Sequence, residues 1–336
     1  MRLAIIGSGG IGEKRLGSID QSDQVIACSD LVLERAERLA AIASKRPGAN
    51  KVLASADWNA VVSRDDIDAV IVATTHNALP QVALAAVKHG KHVLLEKPGA
   101  TSSAALETVL AASRDHRTNV RVGFNHRFHP ALRKAKELVD AGSIGPLMFI
   151  RARYGHGGRL GYDREWRAKP EMSGGGELID QGMHLIDLAQ WFLGTFAQVD
   201  GLAKTFYWDM PVDDNGFLIL KTADERVAFL HASCTEWKNT FSFEIYGRDG
   251  KLDINGLGRS YGLERLAFYR MLPEMGPPET TIWEYPGEDD SWKREWAAFK
   301  QDCAGKTFEN STCRSAIDAL TVVEKIYQKS GYEFST

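Results

Sequence analysis

Residues 2–12 read RLAIIGSGGIG, and the reading of this stretch decides the fold. Arg2–Ile6 is a short apolar run of strand character that passes straight into Gly7-Ser8-Gly9-Gly10-Ile11-Gly12. That hexapeptide fits G-x-G-x-x-G, with helix-compatible residues after it. Glycines at these positions permit a tight turn and let backbone amides approach a pyrophosphate closely. The phosphate then sits at the positive end of the following helix. The pattern therefore predicts that Gly7, Gly9, Gly10, Ile11 and Gly12 line a dinucleotide site. A glycine-rich turn with no ligand is the plainer alternative. The next strand-like run weighs against it.

That second run, Gln24–Asp30 (QVIACSD), ends in an acid 18 residues beyond Gly12. An acid there accepts hydrogen bonds from an adenosine ribose and repels a 2′-phosphate. Asp30 thus favours NAD over NADP, while Arg35 and Arg38 leave NADP open. Further along, Val32–Ala43, Pro80–His89 and the region Ser103–Asp115 are helical in composition. They alternate with AVIVAT (69–74), HVLL (92–95) and Val120–Gly123. AVIVAT is a continuous β-branched run, as expected of a strand buried on both faces of a parallel sheet. Strands and helices alternating at this rhythm imply βαβ units.

The texture changes near residues 124–130. After a helix at Ala131–Ala141, the runs MFIRARY (148–154), FLILKT (217–222), RVAFLHAS (226–233) and FSFEIYG (241–247) read as strands. Turn signals at Arg248-Asp249-Gly250 and Asn255-Gly256 point to a mixed or antiparallel sheet. Helices near 291–304 and 311–330 close the chain. The expected fold class is α/β. Residues 1–124 form a Rossmann doubly wound parallel sheet, and residues 125–336 form an α+β domain with a large open mixed sheet, for substrate binding and oligomerisation. The last helix is free to pack back on the first domain.

Composition narrows the function. A formal net charge of −3 offers no basic excess for nucleic acid or a membrane surface. Four scattered cysteines without a CxxC pair argue against a disulfide framework or zinc ribbon and fit a reducing, cytoplasmic setting. No apolar window approaches the ~20 residues of a membrane span.

Two further features bear chemistry. Glu96-Lys97-Pro98 lies at the C-terminal end of a predicted parallel strand, the edge where such sheets place ligands. The segment GGGELIDQGMHLIDLAQWFLG (174–194) puts Asp180 and His184 at i and i+4 of a helix, with Asp187 three residues on, in apolar surroundings. A carboxylate beside an imidazole suits a general base held by its neighbour. A satisfied core histidine is the bland alternative. A metal held by His184, Asp187, His126 and His129 is another, although no HxH or HExxH spacing supports it. The loop YGHGGRLGYDREWR (154–167) is dense in aromatic and hydrogen-bonding side chains that suit a carbohydrate ring, with arginines for a carboxylate or phosphate.

Together, the glycine-rich start, KHVLLEKP (91–98), GFNHRFHP (123–130), the 174–194 segment, FEIYGRDGKLDI (243–254) and CRSAIDALTVVEKIY (313–327) resemble the glucose–fructose oxidoreductase / inositol dehydrogenase / rhizopine-catabolism (Gfo/Idh/MocA) family. The resemblance covers essentially the whole chain and is not specific to one substrate. It implies an NAD(P)-dependent oxidoreductase moving hydride between nicotinamide and a secondary alcohol of a sugar, polyol or nucleotide-linked sugar. Lys97, Asp180 and His184 match the catalytic lysine and D-x-x-x-H pair. Thr74, Thr75, His76, Glu96 and Lys97 are expected beside the cofactor. Many members read T-P-N-x-x-H where this chain has Thr74-Thr75-His76-Asn77-Ala78-Leu79-Pro80, a departure at the nicotinamide end. Asn125, Arg127, Tyr154, His156, Trp166, Arg167, Asp180, His184 and Lys97 are expected at the substrate. No resident metal is expected, and the assembly expected is a homodimer or homotetramer. Two other activities use this fold, a redox-neutral NAD-dependent glycosidase and a non-catalytic NAD(P)-binding regulator. Turnover assays separate them.

Overall fold

A computed structural model describes residues 1–305 and 310–333. The chain divides into two compact units, residues 1–124 with 292–317, and residues 125–291 with 318–336.

The first unit runs β1 (Arg2–Ile6), α1 (Gly10–Ser18), β2 (Gln24–Ser29), α2 (Leu33–Ala43), β3 (Leu53–Ser55), α3 (Trp58–Val62), β4 (Ala69–Val72), α4 (Leu79–Lys88), β5 (His92–Glu96), α5 (Ser103–Asp115) and β6 (Val120–Gly123). The strands form one parallel sheet in the order β3-β2-β1-β4-β5-β6. This is the Rossmann order. The direction of winding reverses at β1, so the crevice for a ligand opens at the carboxyl ends of β1 and β4. Ala69, Val70, Ile71 and Val72 are all fully buried, which accounts for the unbroken apolar run in β4. The short edge strand β3 and helix α3 carry too little periodicity to be read in the sequence.

The second unit contains α6 (Pro130–Asp140), β7 (Leu147–Gly155), α7 (Pro170–Ser173), α8 (Met183–Leu193), and then β8 (Phe196–Lys204), β9 (Asn215–Thr222), β10 (Val227–Ser233), β11 (Thr240–Gly247), β12 (Gly250–Asn255), β13 (Glu264–Arg270) and β14 (Glu279–Tyr285). Its sheet runs β14-β13-β12-β11-β7-β10-β9-β8, antiparallel throughout except where β7 lies parallel to β10. One face carries α6 and α8. Nearly every residue of α8 is buried, as its all-round apolar composition requires. On β10 the alternation is plain: Ala228, Leu230 and Ala232 are buried, whereas Phe229 is 44% exposed on the other face.

Helices α9 (Ser291–Ala304) and α10 (Ser311–Lys329) end the chain. Residues 292–317 belong with the first unit, so α9 and the start of α10 leave the expected 125–336 domain, while α10 from residue 318 onward stays in it. The reason is apolar packing. Trp296 and Phe299 are buried in one cluster with Leu3, Ile5, Ile71 and Leu94. Residues 306–309 and 334–336 lie outside the described residues.

Candidate active site

In the first unit the glycine-rich loop joins β1 to α1. Gly7 has φ +95°, and a Cβ there would stand 2.3 Å from the Ala73 carbonyl oxygen. A Cβ on Gly12 would stand 2.2 Å from the Gly7 carbonyl oxygen, so only glycine lets helix and strand approach this closely. Gly9 and Gly10 face open space, which leaves room for a ligand over the N-terminus of α1. Ile11 is partly buried behind them. Asp30 is held on both carboxylate oxygens. The Ser8 amide donates to Oδ2 and the Val32 amide to Oδ1, each at 2.9 Å. The acid is thereby fixed against the glycine loop with lone pairs left for a ribose. These residues fit a dinucleotide: cradle, positive helix end and oriented acid are all present.

At the end of β4, Thr74 and Thr75 are partly buried and His76 is buried. The Thr75 hydroxyl donates to Asn77 Oδ1 at 2.8 Å. Lys97 follows β5, and its bond to Pro98 is cis. Glu96, expected beside the cofactor, has another partner. It is buried and takes a short charge-assisted hydrogen bond from Arg15 Nε. Arg15 is fully buried. Its Nη1 donates to Glu295 Oε2 at 2.6 Å, and its guanidinium lies 4.3 Å from the Trp292 ring. Burial pushes the Glu295 carboxyl up, Arg15 opposes this, and Glu96 adds to it. No sequence motif announces this hub, because Arg15, Glu96 and Glu295 are far apart in the chain.

In the second unit the 174–194 segment departs from a single α-helix. Leu178–Gly182 form a π turn, and α8 begins only at Met183. Such turns recur at functional sites. Asp180 and His184 are both buried, at 4% exposure, on either side of the π–α junction. Arg167 donates from Nε to Asp180 Oδ2 at 2.8 Å, so this arginine, expected at the substrate, is tied to the acid. Its guanidinium also lies 4.5 Å from the Trp166 ring. Asp180 is the main reason that Arg167 holds its proton more tightly than usual.

His184 stacks on His126, with ring centroids 3.7 Å apart and planes 19° from parallel. Two imidazolium charges at that spacing in a buried place would repel strongly. Asn125 orients the stack: its Oδ1 lies 3.2 Å from His126 Nδ1, and its Nδ2 donates to Ser291 Oγ at 3.0 Å. Tyr154 edges both rings and is buried, which raises its phenol well above the usual range.

Two residues expected at the substrate also have partners within the protein. Arg127 grips Asp187 in a fork, at 2.8 and 2.6 Å. Burial raises the Asp187 carboxyl, and Arg127 opposes that rise. His156 accepts from the Gly158 amide at 2.9 Å, and burial lowers its pKa, which favours the neutral ring. His129 pairs with Glu264 at 3.0 Å. Among the described residues no group of three or more His, Cys, Asp or Glu converges to hold a metal.

A parallel sheet of this order, its glycine cradle and its oriented acid define a dinucleotide-binding protein of the Rossmann class. Comparison with known proteins narrows this. Residues 1–124 match the description "Oxidoreductase family, NAD-binding Rossmann fold", and residues 132–253 match "GFO/IDH/MocA C-terminal domain". The chain belongs to the GFO/IDH/MocA oxidoreductase family. It is similar to levoglucosan dehydrogenase of Pseudarthrobacter phenanthrenivorans, with 27% identity over 67% of this chain and 64% of that one. It is also similar to inositol 2-dehydrogenase 2 of Saccharopolyspora erythraea, with 30% identity over 66% and 63%. These matches span slightly less than two thirds of each relative. The structure of a levoglucosan dehydrogenase in complex with NADH has the same fold, with a TM-score of 0.82, 22% identity and 98% of each chain covered.

Proposed function

We propose that the protein is an NAD-dependent dehydrogenase that oxidises a secondary alcohol of a sugar or polyol. The observation that carries this reading is the buried His184. It is presented at a π–α junction, stacked on a second imidazole, one turn beyond an arginine-clamped Asp180. The family resemblance supplies the roles. Neutral His184 takes the hydroxyl proton, Asp180 holds the polar environment of the ring, and Lys97 stabilises the alkoxide as it forms. His184 becomes cationic when it takes that proton, and repulsion across the stack then requires His126 to stay neutral. Gly7, Gly9, Gly10, Gly12 and Asp30 would hold NAD, which when bound accepts the hydride from carbon. Positioned general base catalysis contributes ~10²–10⁴-fold. The relatives named for levoglucosan and inositol support a cyclic polyhydroxylated substrate. Asp30, fixed on the glycine loop, supports NAD over NADP.

The reading extends to assembly. The uncovered face of the second sheet exposes Phe149, Ile219 and Phe229, with stacked rings Phe149–Tyr246 and Phe217–His231 each at 4.2 Å. Apolar surface on an otherwise complete sheet supports pairing with a second copy. The function is tested by following NADH absorbance across a panel of cyclic polyols, anhydro sugars and sugar nucleotides. Turnover of none, alongside free sugar released from glycosides without net NADH, would replace the dehydrogenase reading with the glycosidase one.

A further inference from the structure

The π turn that carries Asp180 begins in a buried place, where the first amides of a helix lack partners within it. Two residues from distant parts of the chain answer four consecutive amides. Gly176 N donates to Asp213 Oδ1 at 2.9 Å, Leu178 N to Asp213 Oδ2 at 2.8 Å, and Glu177 N to the Asp213 carbonyl at 3.0 Å. Tyr327, from α10, donates to Asp213 Oδ1 at 2.7 Å, while Gly176 N and Ile179 N lie 3.1 and 3.3 Å from its Oη. Asp213 is fully buried and Tyr327 is 5% exposed. The glycines of the segment fit around this pair. A Cβ on Gly175, at φ +149°, would stand 2.2 Å from Tyr327 Oη, and one on Gly176 1.9 Å from the Asp213 carbonyl oxygen.

We propose that Asp213, braced by Tyr327, is a positioning residue that sets the pose of the Asp180–His184 segment, and that protonating Asp213 releases that pose. The inference rests on the reading of His184 as the base. An ionised carboxylate accepts only, so it can take the Gly176 and Leu178 amides and the Tyr327 hydroxyl together. A protonated one must give up an acceptor site to its own proton. Negative charge at a helix N-terminus also favours this geometry. The titratable groups that sense the Asp213 charge are Tyr327 and Tyr332, on or just beyond α10, and Cys234 after β10; Cys234 also senses Glu177 and Asp214, and Tyr332 senses Asp214. Burial outweighs the donated hydrogen bonds and lifts the Asp213 carboxyl to about 6.

The sign separates positioning from mere stability. The folded carboxyl binds its proton more tightly than the unfolded one. Asp213 therefore adds stability as pH falls from ~7 toward ~5, while its protonation costs activity. Asp213→Asn cannot titrate and lacks one acceptor. It should lower kcat by ~10-fold or more at pH ~8, with the KM for NAD within ~2-fold of wild type. Its melting temperature should also lose the wild-type gain on acidification. Tyr327→Phe keeps the carboxylate but removes a hydrogen bond that lowers its pKa, so the acid limb of kcat should move up by ~0.5 pH unit or more. Tyr327→Phe also serves if Asp213→Asn does not fold. Wild-type kcat in Asp213→Asn, or an unmoved acid limb in Tyr327→Phe, overturns the proposal. A fully active His184→Ala would instead remove the reading beneath it.

Discussion

Arg127 offers the sharpest contest between a sequence expectation and the structure. Sequence resemblance put its guanidinium at the substrate, whereas the structure shows it gripping Asp187, whose side chain is only 1% exposed. Arg127→Met keeps the length of the side chain and removes the charge, leaving a buried carboxylate without its fork. Breaking a buried pair from one side costs ~3–5 kcal/mol. For a domain of this size, at roughly 2–4 °C per kcal/mol, the melting temperature should fall by at least ~6 °C. The deficit should depend on pH with a fixed sign. Burial already holds the folded Asp187 carboxyl above its ordinary value, and losing Arg127 raises it further. The penalty is thus largest at high pH and shrinks as pH falls through the raised folded pKa. Replacing both partners, Arg127→Met with Asp187→Leu, should recover most of the loss, because no lone charge stays buried. Urea midpoints followed by tryptophan fluorescence at pH ~8 and ~6 measure all of this, provided the slope stays constant. A loss under ~1 kcal/mol with a ~10-fold rise in KM for the alcohol would refute the reasoning and return Arg127 to the substrate.

The same geometry sets other expectations. Asp30→Ala should weaken NAD and relax discrimination against NADP in fluorescence titrations; tighter binding of NADP than NAD by the wild type would overturn the ribose role. Asp180→Asn should lower kcat less than loss of His184 does, because the amide keeps one oxygen for Arg167; equal losses would make Asp180 a direct participant. Phe229→Glu on the open sheet face should convert a dimer to monomer by light scattering at micromolar concentration, and a wild-type monomer there would remove the pairing proposal.

The Rossmann half was legible because its signals are local. A glycine motif, an acid at fixed spacing and unbroken β-branched runs each lie within a few residues, and each maps to β1, β2 or β4. In the second unit β7, β9, β10 and β11 were visible through their alternation, whereas β8, β13 and β14 went unread. The strand order was hidden because β7 pairs with β10 and β11 across long stretches of chain. Around the site, motif residues were readable while their partners were not. Nothing near Glu96 announces Arg15, and nothing near Asp180 announces Arg167, Asp213 or Tyr327. The π turn was also hidden, because apolar residues at these spacings read equally well as one α-helix. The pair of acids at Asp213-Asp214, placed just before a strand, was the one signal that could have marked the anchor.

The most direct test of His184 as the base is turnover by His184→Ala, measured with NAD affinity on the same preparation. The expected result is a fall in kcat of ~10²-fold or more while NAD binds within ~2-fold of wild type, since the glycine cradle and Asp30 belong to the other unit. Turnover near the wild-type rate would contradict this and leave His184 a core histidine stacked on His126.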